Sequence, residues 1–344
     1  MPSSRVNEPA PPMLEPLRTP PRPVSALTRG IDLVTQDLEQ VERALGRLLE
    51  STVAILPQIS NHLVEAGGKR LRPLLTLLAA AAADARGDHA ITVAAVGELI
   101  HTATLLHDDV VDTGEFRRGR PSARLHFGNG LAVLAGDFCL ARALEAIAST
   151  RDPEVVARLA ATVTRMAEGE IAQLANAGAT LDRSGYYTII DGKTATLFAW
   201  CAAVGGLATP ALDGPLTDFG RELGYAFQIA DDVLDYTASA DTSGKTPARD
   251  LRDGKITLPL LLACEADPKL APVVRDALDE GPPLGEAVVE RILARVAATD
   301  ALAASSRIAE RHAAAAIAHL DALPASPARA ALIDLAKAAA RRSR

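Results

Sequence analysis

The sequence predicts an all-α protein of ten or more helices with no sheet, on three observations. From about Ser25 onward the chain is rich in Ala and Leu, with few β-branched or aromatic runs and no two-residue alternation, which is helical composition. A capping side chain followed by proline recurs at Asp152-Pro153, Thr209-Pro210, Asp267-Pro268 and Ser326-Pro327. Each pair offers an oxygen at the N-cap and a preset φ at the first helical residue. Two segments, 91–111 and 216–236, are apolar on nearly every side, and helices without a polar face belong at the centre of a bundle.

The N-terminal element is a tail. Residues 1–24 carry Pro2, Pro9, Pro11, Pro12, Pro16, Pro20, Pro21 and Pro23 with little apolar material between them, a pattern expected to be disordered. Residues 25–344 are expected to form a single helical domain. Of 344 residues, 48% are apolar and 23% charged, which suits a sizeable core and excludes a disordered chain. A net charge of −7 argues against a nucleic-acid partner. Cys139, Cys201 and Cys264 are odd in number, far apart and without zinc spacing, so reduced thiols and a cytoplasmic location are expected. No uninterrupted apolar stretch reads as a transmembrane segment.

Both apolar segments end in acid. The first closes in LLHDDVVD, with Asp108, Asp109 and Asp112, and the second in QIADDVLD, with Asp231, Asp232 and Asp235. On a helix Asp108 and Asp112 share a face, as do Asp231 and Asp235. Like charges at that spacing repel, so helix stability does not explain them. Carboxylates at the mouth of a buried bundle need cations, and all-oxygen donors suit Mg²⁺, with Mn²⁺ as substitute, shared with substrate phosphates. A calcium-binding loop is a poorer reading, because the glycine and closing glutamate of an EF-hand are missing.

Basic residues stand around these acids. GGKRLRP at 67–73 sets Lys69, Arg70 and Arg72 beside two glycines where a helix begins, and such a start favours anions. Arg117 and Arg118 follow the first acidic cluster; GKT at 192–194, Lys245 and Lys255 follow later. Each alone reads as a surface charge, but together they point to phosphate.

In combination GGKRLRP, LLHDDVVD, RRGRPS, GDFCLARA, DGKTATLF, FQIADDVLD and GKTPARDLRDGK resemble the polyprenyl synthetase family, the trans-isoprenyl diphosphate synthases. The resemblance runs from residue 67 to Pro259 and is closest to the long-chain octaprenyl and decaprenyl enzymes. It implies a helical bundle around a deep central apolar cavity, a homodimer, and Mg²⁺-dependent condensation of isopentenyl diphosphate with an allylic prenyl diphosphate. Asp108, Asp112, Asp231 and Asp235 are then the expected metal ligands, and Asp109, Asp232 and Lys193 join the catalytic set. Arg117, Lys193, Thr194, Gln228, Lys245 and Lys255 are expected on the allylic diphosphate. Gly68, Lys69, Arg72, His101 and Arg118 are expected on isopentenyl diphosphate. One departure is Ala248-Arg249, where the family has a glycine and often an acid.

One turn before Asp108 lie Ala103 and Thr104, both small, at a place where in the family that the chain resembles bulky aromatics stop elongation early. From Asp108 back to Ile91 is 17 residues, a wall of about 25 Å, so a long product is expected, with geranylgeranyl diphosphate as the alternative. Phe138 reads equally as the cavity floor or as ordinary core. A terpene cyclase is disfavoured because the second cluster is Asp231, Asp232 and Asp235 rather than an Asn/Asp-Ser/Thr-Glu motif. A non-catalytic subunit of a heteromeric synthase is disfavoured because both clusters are intact.

Overall fold

The computed structural model describes residues 26–64, 70–112, 116–117, 120–176, 182–205, 209–237 and 248–341. Among the expected site residues, Gly68, Lys69, Arg118 and Lys245 lie outside these, as does the proline-rich start. Of Arg117 only the backbone is described.

The chain opens with α1 (Ala26–Leu33), α2 (Thr35–Leu48) and α3 (Ile55–Val64), then α4 (Leu71–Ala82) and the long α5 (Asp88–Val111). Helices α6 (Ala123–Phe127), α7 (Asn129–Ala148), α8 (Pro153–Ala175) and α9 (Arg183–Ile190) follow. A π-helical turn, Asp191–Ala195, leads into α10 (Thr196–Gly205), and α11 (Pro210–Thr237) is the longest helix described. The remainder is α12 (Arg249–Arg252), α13 (Leu258–Ala266), α14 (Leu270–Asp279), α15 (Glu286–Ala297), α16 (Ala301–His319) and α17 (Pro327–Ala340). The expectation of no sheet meets one small exception. Phe116–Arg117 pairs antiparallel with Arg120–Pro121, a two-residue ladder (β1, β2) between α5 and α6.

The capped prolines start helices at three of four places. Asp152 accepts from the N–H groups of Glu154 (3.0 Å) and Val155 (3.3 Å), and Ser326 from that of Arg329 at 3.1 Å; α11 begins at Pro210. At Asp267-Pro268 the helix starts only at Leu270. Asp267 closes α13 instead, and its carboxylate is taken by Arg295 at 2.7 Å.

Both apolar segments are interior helices. The strongly apolar α10, whose Leu197, Phe198, Trp200 and Cys201 are buried, packs against α4, α5, α8 and α11. Helix α5 packs further on α4, α2 and α7, and α11 on α16 and α17. Helix α5 is long and apolar enough to cross a bilayer, yet 72% of its most apolar stretch is buried; it is a core helix. Among the described residues, which include all three cysteines, there is no disulfide.

Candidate active site

Helices α5 and α11 both pack on α10, and their acidic ends open onto one cavity of about 880 Å³. Asp108 and Asp112 face it from the end of α5, Gln228, Asp231 and Asp235 from α11, Lys193 and Thr194 from the π turn, and Lys255 from the loop after α12. Arg72 and His101 also line it, with Arg72 stacked over the Phe198 ring at 5.2 Å. The deeper wall is apolar: Ile100, Ala103, Leu140, Val163, Met166 and Phe227.

The π turn sets the position of Lys193. A Cβ on Gly192 would sit 2.7 Å from the Arg165 carbonyl, and one on Gly169 would sit 2.7 Å from the Lys193 nitrogen. Only glycine at both places lets α8 meet the turn backbone to backbone. From there the Lys193 ammonium reaches Glu170 at 2.6 Å, Gln173 at 3.2 Å and Asp108 at 3.9 Å. Burial works against its charge, but Asp108 and Glu170 outweigh burial and hold the ammonium protonated above its ordinary range. Thr194 donates to the Gln228 side-chain oxygen at 2.8 Å, fixing the amide so that its NH₂ donates to Asp232 at 2.9 Å.

The six aspartates divide into two kinds. Asp109, 2% exposed, turns away from the cavity and accepts from the Ala123 N–H at 2.9 Å, anchoring the start of α6. Asp232, 3% exposed, accepts from the Tyr186 hydroxyl at 2.6 Å and from Gln228. Burial, with Asp250 nearby, pushes its proton affinity well up. Neither lines the main cavity; Asp232 borders a smaller one that also holds Lys193, Thr194 and Lys255. Asp112 accepts from Lys255 at 2.9 Å; although burial opposes it, Lys255 pulls its carboxyl below the usual range. Asp235 accepts from the N–H groups of Arg249 (3.2 Å) and Asp250 (3.1 Å), and burial with the Asp250 charge raises it to about 6.

The four cavity-facing carboxylates offer only oxygen, the donor set of Mg²⁺ or Mn²⁺. Among the described residues no three His, Cys, Asp or Glu side chains come close enough to enclose an ion by themselves. A divalent cation here would complete its shell with water and phosphate oxygens, as Mg²⁺ ordinarily does. The donor set fits on that condition.

Several residues were not anticipated. Glu170 and Gln173 on Lys193 come from a stretch that reads as a solvated helix face, while Arg249, Asp250 and Asp253, which also line the cavity, come from the GKTPARDLRDGK motif, in which no role is assigned to them. Phe138 does not line the cavity; it is half-buried and packs against the main core, while Leu140 reaches the wall. His107 sits against Gly136 of α7, where a Cβ would come 2.3 Å from its ring, and pairs with Asp137 at 3.3 Å. It also lines the cavity beside Asp108. Ala248 explains the missing glycine: its φ is +53°, and its N–H bonds the Asp235 carbonyl at 2.8 Å.

Comparison with known proteins adds three findings. The polyprenyl synthetase family profile matches residues 53–296. The octaprenyl diphosphate synthase of Escherichia coli is 41% identical over 318 residues, covering 91% of this chain and 98% of that one. Among solved structures, a polyprenyl synthase from Caulobacter crescentus, complexed with calcium and isoprenyl diphosphate, superposes with a TM-score of 0.87 at 41% identity, covering 94% of this chain and 99% of its own. A decaprenyl diphosphate synthase from Rhodobacter capsulatus gives 0.86 at 36% identity, with 92% and 99% covered.

Proposed function

The chain belongs to the polyprenyl synthetase family, and on that premise we propose that it is an all-trans polyprenyl diphosphate synthase making a long product of eight to ten isoprene units. One observation carries the reading: two acidic helix ends and two lysines share the mouth of a cavity whose depth is apolar. A charged mouth with an apolar depth matches a substrate with a diphosphate head and a hydrocarbon tail.

The residues divide the work. Lys193 and Lys255 compensate the charge that gathers on pyrophosphate as the allylic C–O bond breaks. Arg72 and His101 hold isopentenyl diphosphate so that its double bond meets the allylic carbon, and the apolar wall keeps water from the cation. Loss of a proton to released pyrophosphate leaves a chain five carbons longer. Mg²⁺, or Mn²⁺ in its place, supplies Lewis-acid neutralisation of the diphosphate when bound, and Asp108, Asp112, Asp231 and Asp235 would hold it. Arg117 and Lys245 belong with the allylic diphosphate in this reading, and Gly68, Lys69 and Arg118 with isopentenyl diphosphate.

The reading includes a homodimer in the cytoplasm. The outer face of α7 leaves Leu131, Val133, Leu134 and Leu144 exposed, Leu134 by 61%, an apolar stripe that a second copy would cover. Purified protein given Mg²⁺, farnesyl diphosphate and radiolabelled isopentenyl diphosphate should yield products of about 40 to 50 carbons, at five carbons per condensation. Products ending at geranylgeranyl length would overturn the long-chain assignment, and turnover in excess EDTA would overturn the metal assignment.

A further inference from the structure

We propose that Asp191 is a positioning residue that acts through Lys193, an inference that rests on the synthase reading above. Asp191 is the first residue of the π turn and is 7% exposed. Its carboxylate accepts from Arg165 on α8, from Arg221 at 2.5 Å and from the Tyr225 hydroxyl at 2.8 Å, both on α11. None of these four residues lines the cavity. One carboxylate thus ties the turn to two helices from behind the site, and the Tyr225 ring packs in turn against that of His312 of α16, tilted by 55° with centroids 5.2 Å apart.

The clamp matters because of what a π turn is. It holds one more residue than an α turn, with poorer hydrogen bonding, and such turns gather at functional sites. If it relaxed to α geometry, the register would slip by one residue and each following side chain would swing by roughly 100°. Lys193 lies two residues on. Such a swing would carry its ammonium away from Glu170 and Asp108, now 2.6 and 3.9 Å distant. The glycine contact between α8 and the turn supplies closeness but no directional bond; the Asp191 clamp supplies the direction.

The test is a kinetic double-mutant cycle on the full chain with Mg²⁺, farnesyl diphosphate and isopentenyl diphosphate. Asp191→Asn should lower kcat on the order of tenfold or more, with the KM for isopentenyl diphosphate unchanged. In a Lys193→Ala background the same change should cost nothing further, because the two residues act as one unit. Equal losses in both backgrounds would make Asp191 merely structural and overturn the inference, as would an unchanged kcat. Should Asp191→Asn fail to fold, Tyr225→Phe removes one donor and keeps the ring. It should show a smaller loss of the same pattern, and equal losses in both backgrounds would again overturn the inference. A crystal structure of the folded variant gives a readout apart from activity: the turn should be α-helical with Lys193 off Glu170, and an unaltered π turn would refute the inference. A wild-type chain that forms no prenyl product sinks the synthase reading and this inference together, whereas a normal wild type with additive variants sinks the inference alone.

Discussion

Lys255 donates to Asp112 at 2.9 Å across 143 residues of sequence, joining the loop after α12 to the end of α5. Each side chain is 18% exposed, so the pair sits at the rim where the cavity meets solvent. On the proposed reading this cation serves two anions in turn, Asp112 in the free protein and the allylic diphosphate once substrate arrives. Replacing Lys255 with Met should lower kcat by on the order of 10²-fold and leave the KM for isopentenyl diphosphate unchanged. Steady-state kinetics with each substrate varied in turn would measure both.

Product length should respond to the cavity wall and ignore core residues of α7 that do not reach it. Ala103→Tyr places a ring one turn below Asp108 and should shorten the product. Leu140→Trp fills the deeper wall and should do the same, with a cut-off farther along the chain. Phe138→Ala should leave the length unaltered, since Phe138 packs outside the cavity. Mass spectrometry of the extracted prenyl diphosphates separates the three cases.

Position 248 offers a test of backbone strain. Its φ of +53° costs a non-glycine residue roughly 1–2 kcal/mol. Glycine relieves that cost but forfeits a buried methyl, about 0.8 kcal/mol, and loosens the unfolded chain by a similar amount. Ala248→Gly should therefore be close to neutral in urea denaturation. Ala248→Val should lose about 2 kcal/mol or more, because a β-branched residue at positive φ in a buried place has no relief.

The Asp191 clamp also sets a pH dependence. Burial raises the proton affinity of Asp191, but Tyr225, Arg221 and Arg165 outweigh it, and the carboxyl titrates below its ordinary value of 3.8. A folded-state pKa below the unfolded one adds stability that is complete above the unfolded value and is lost as pH falls through the folded one. The stability gap between wild type and Asp191→Asn should thus be full above the ordinary carboxylate range and narrow as pH falls below it. Urea midpoints at stepped pH would follow it; a constant gap would mean that Asp191 carries no charge-dependent stabilisation.

Much of the fold and part of the site are legible in the residues. Asp108 and Asp112 can be read because like charges four residues apart, closing an apolar helix, have no structural excuse. Lys193 can be found within DGKTA, but its geometry cannot. The π turn has no local code, arising from a backbone contact between Gly169 and Gly192 and from donors on two other helices. Glu170 was hidden for the same reason: EGEIAQ looks like any exposed face until α8 is set against the turn. Phe138 fails by two residues, since positions two apart on a helix differ by about 200°, and Leu140 takes the inward place. At Asp267-Pro268 the helix starts late because Asp267 already ends α13, its carboxylate shared between Arg295 and the Lys269 N–H.

The most direct test of convergence by the two acidic helix ends is anomalous diffraction from crystals grown with Mn²⁺ and pyrophosphate. Density for the metal should appear on Asp108 and Asp112 and on Asp231, with one pyrophosphate bridging the two sides beside Lys193. Manganese confined to a single helix end, or pyrophosphate bound outside the cavity, would contradict the account.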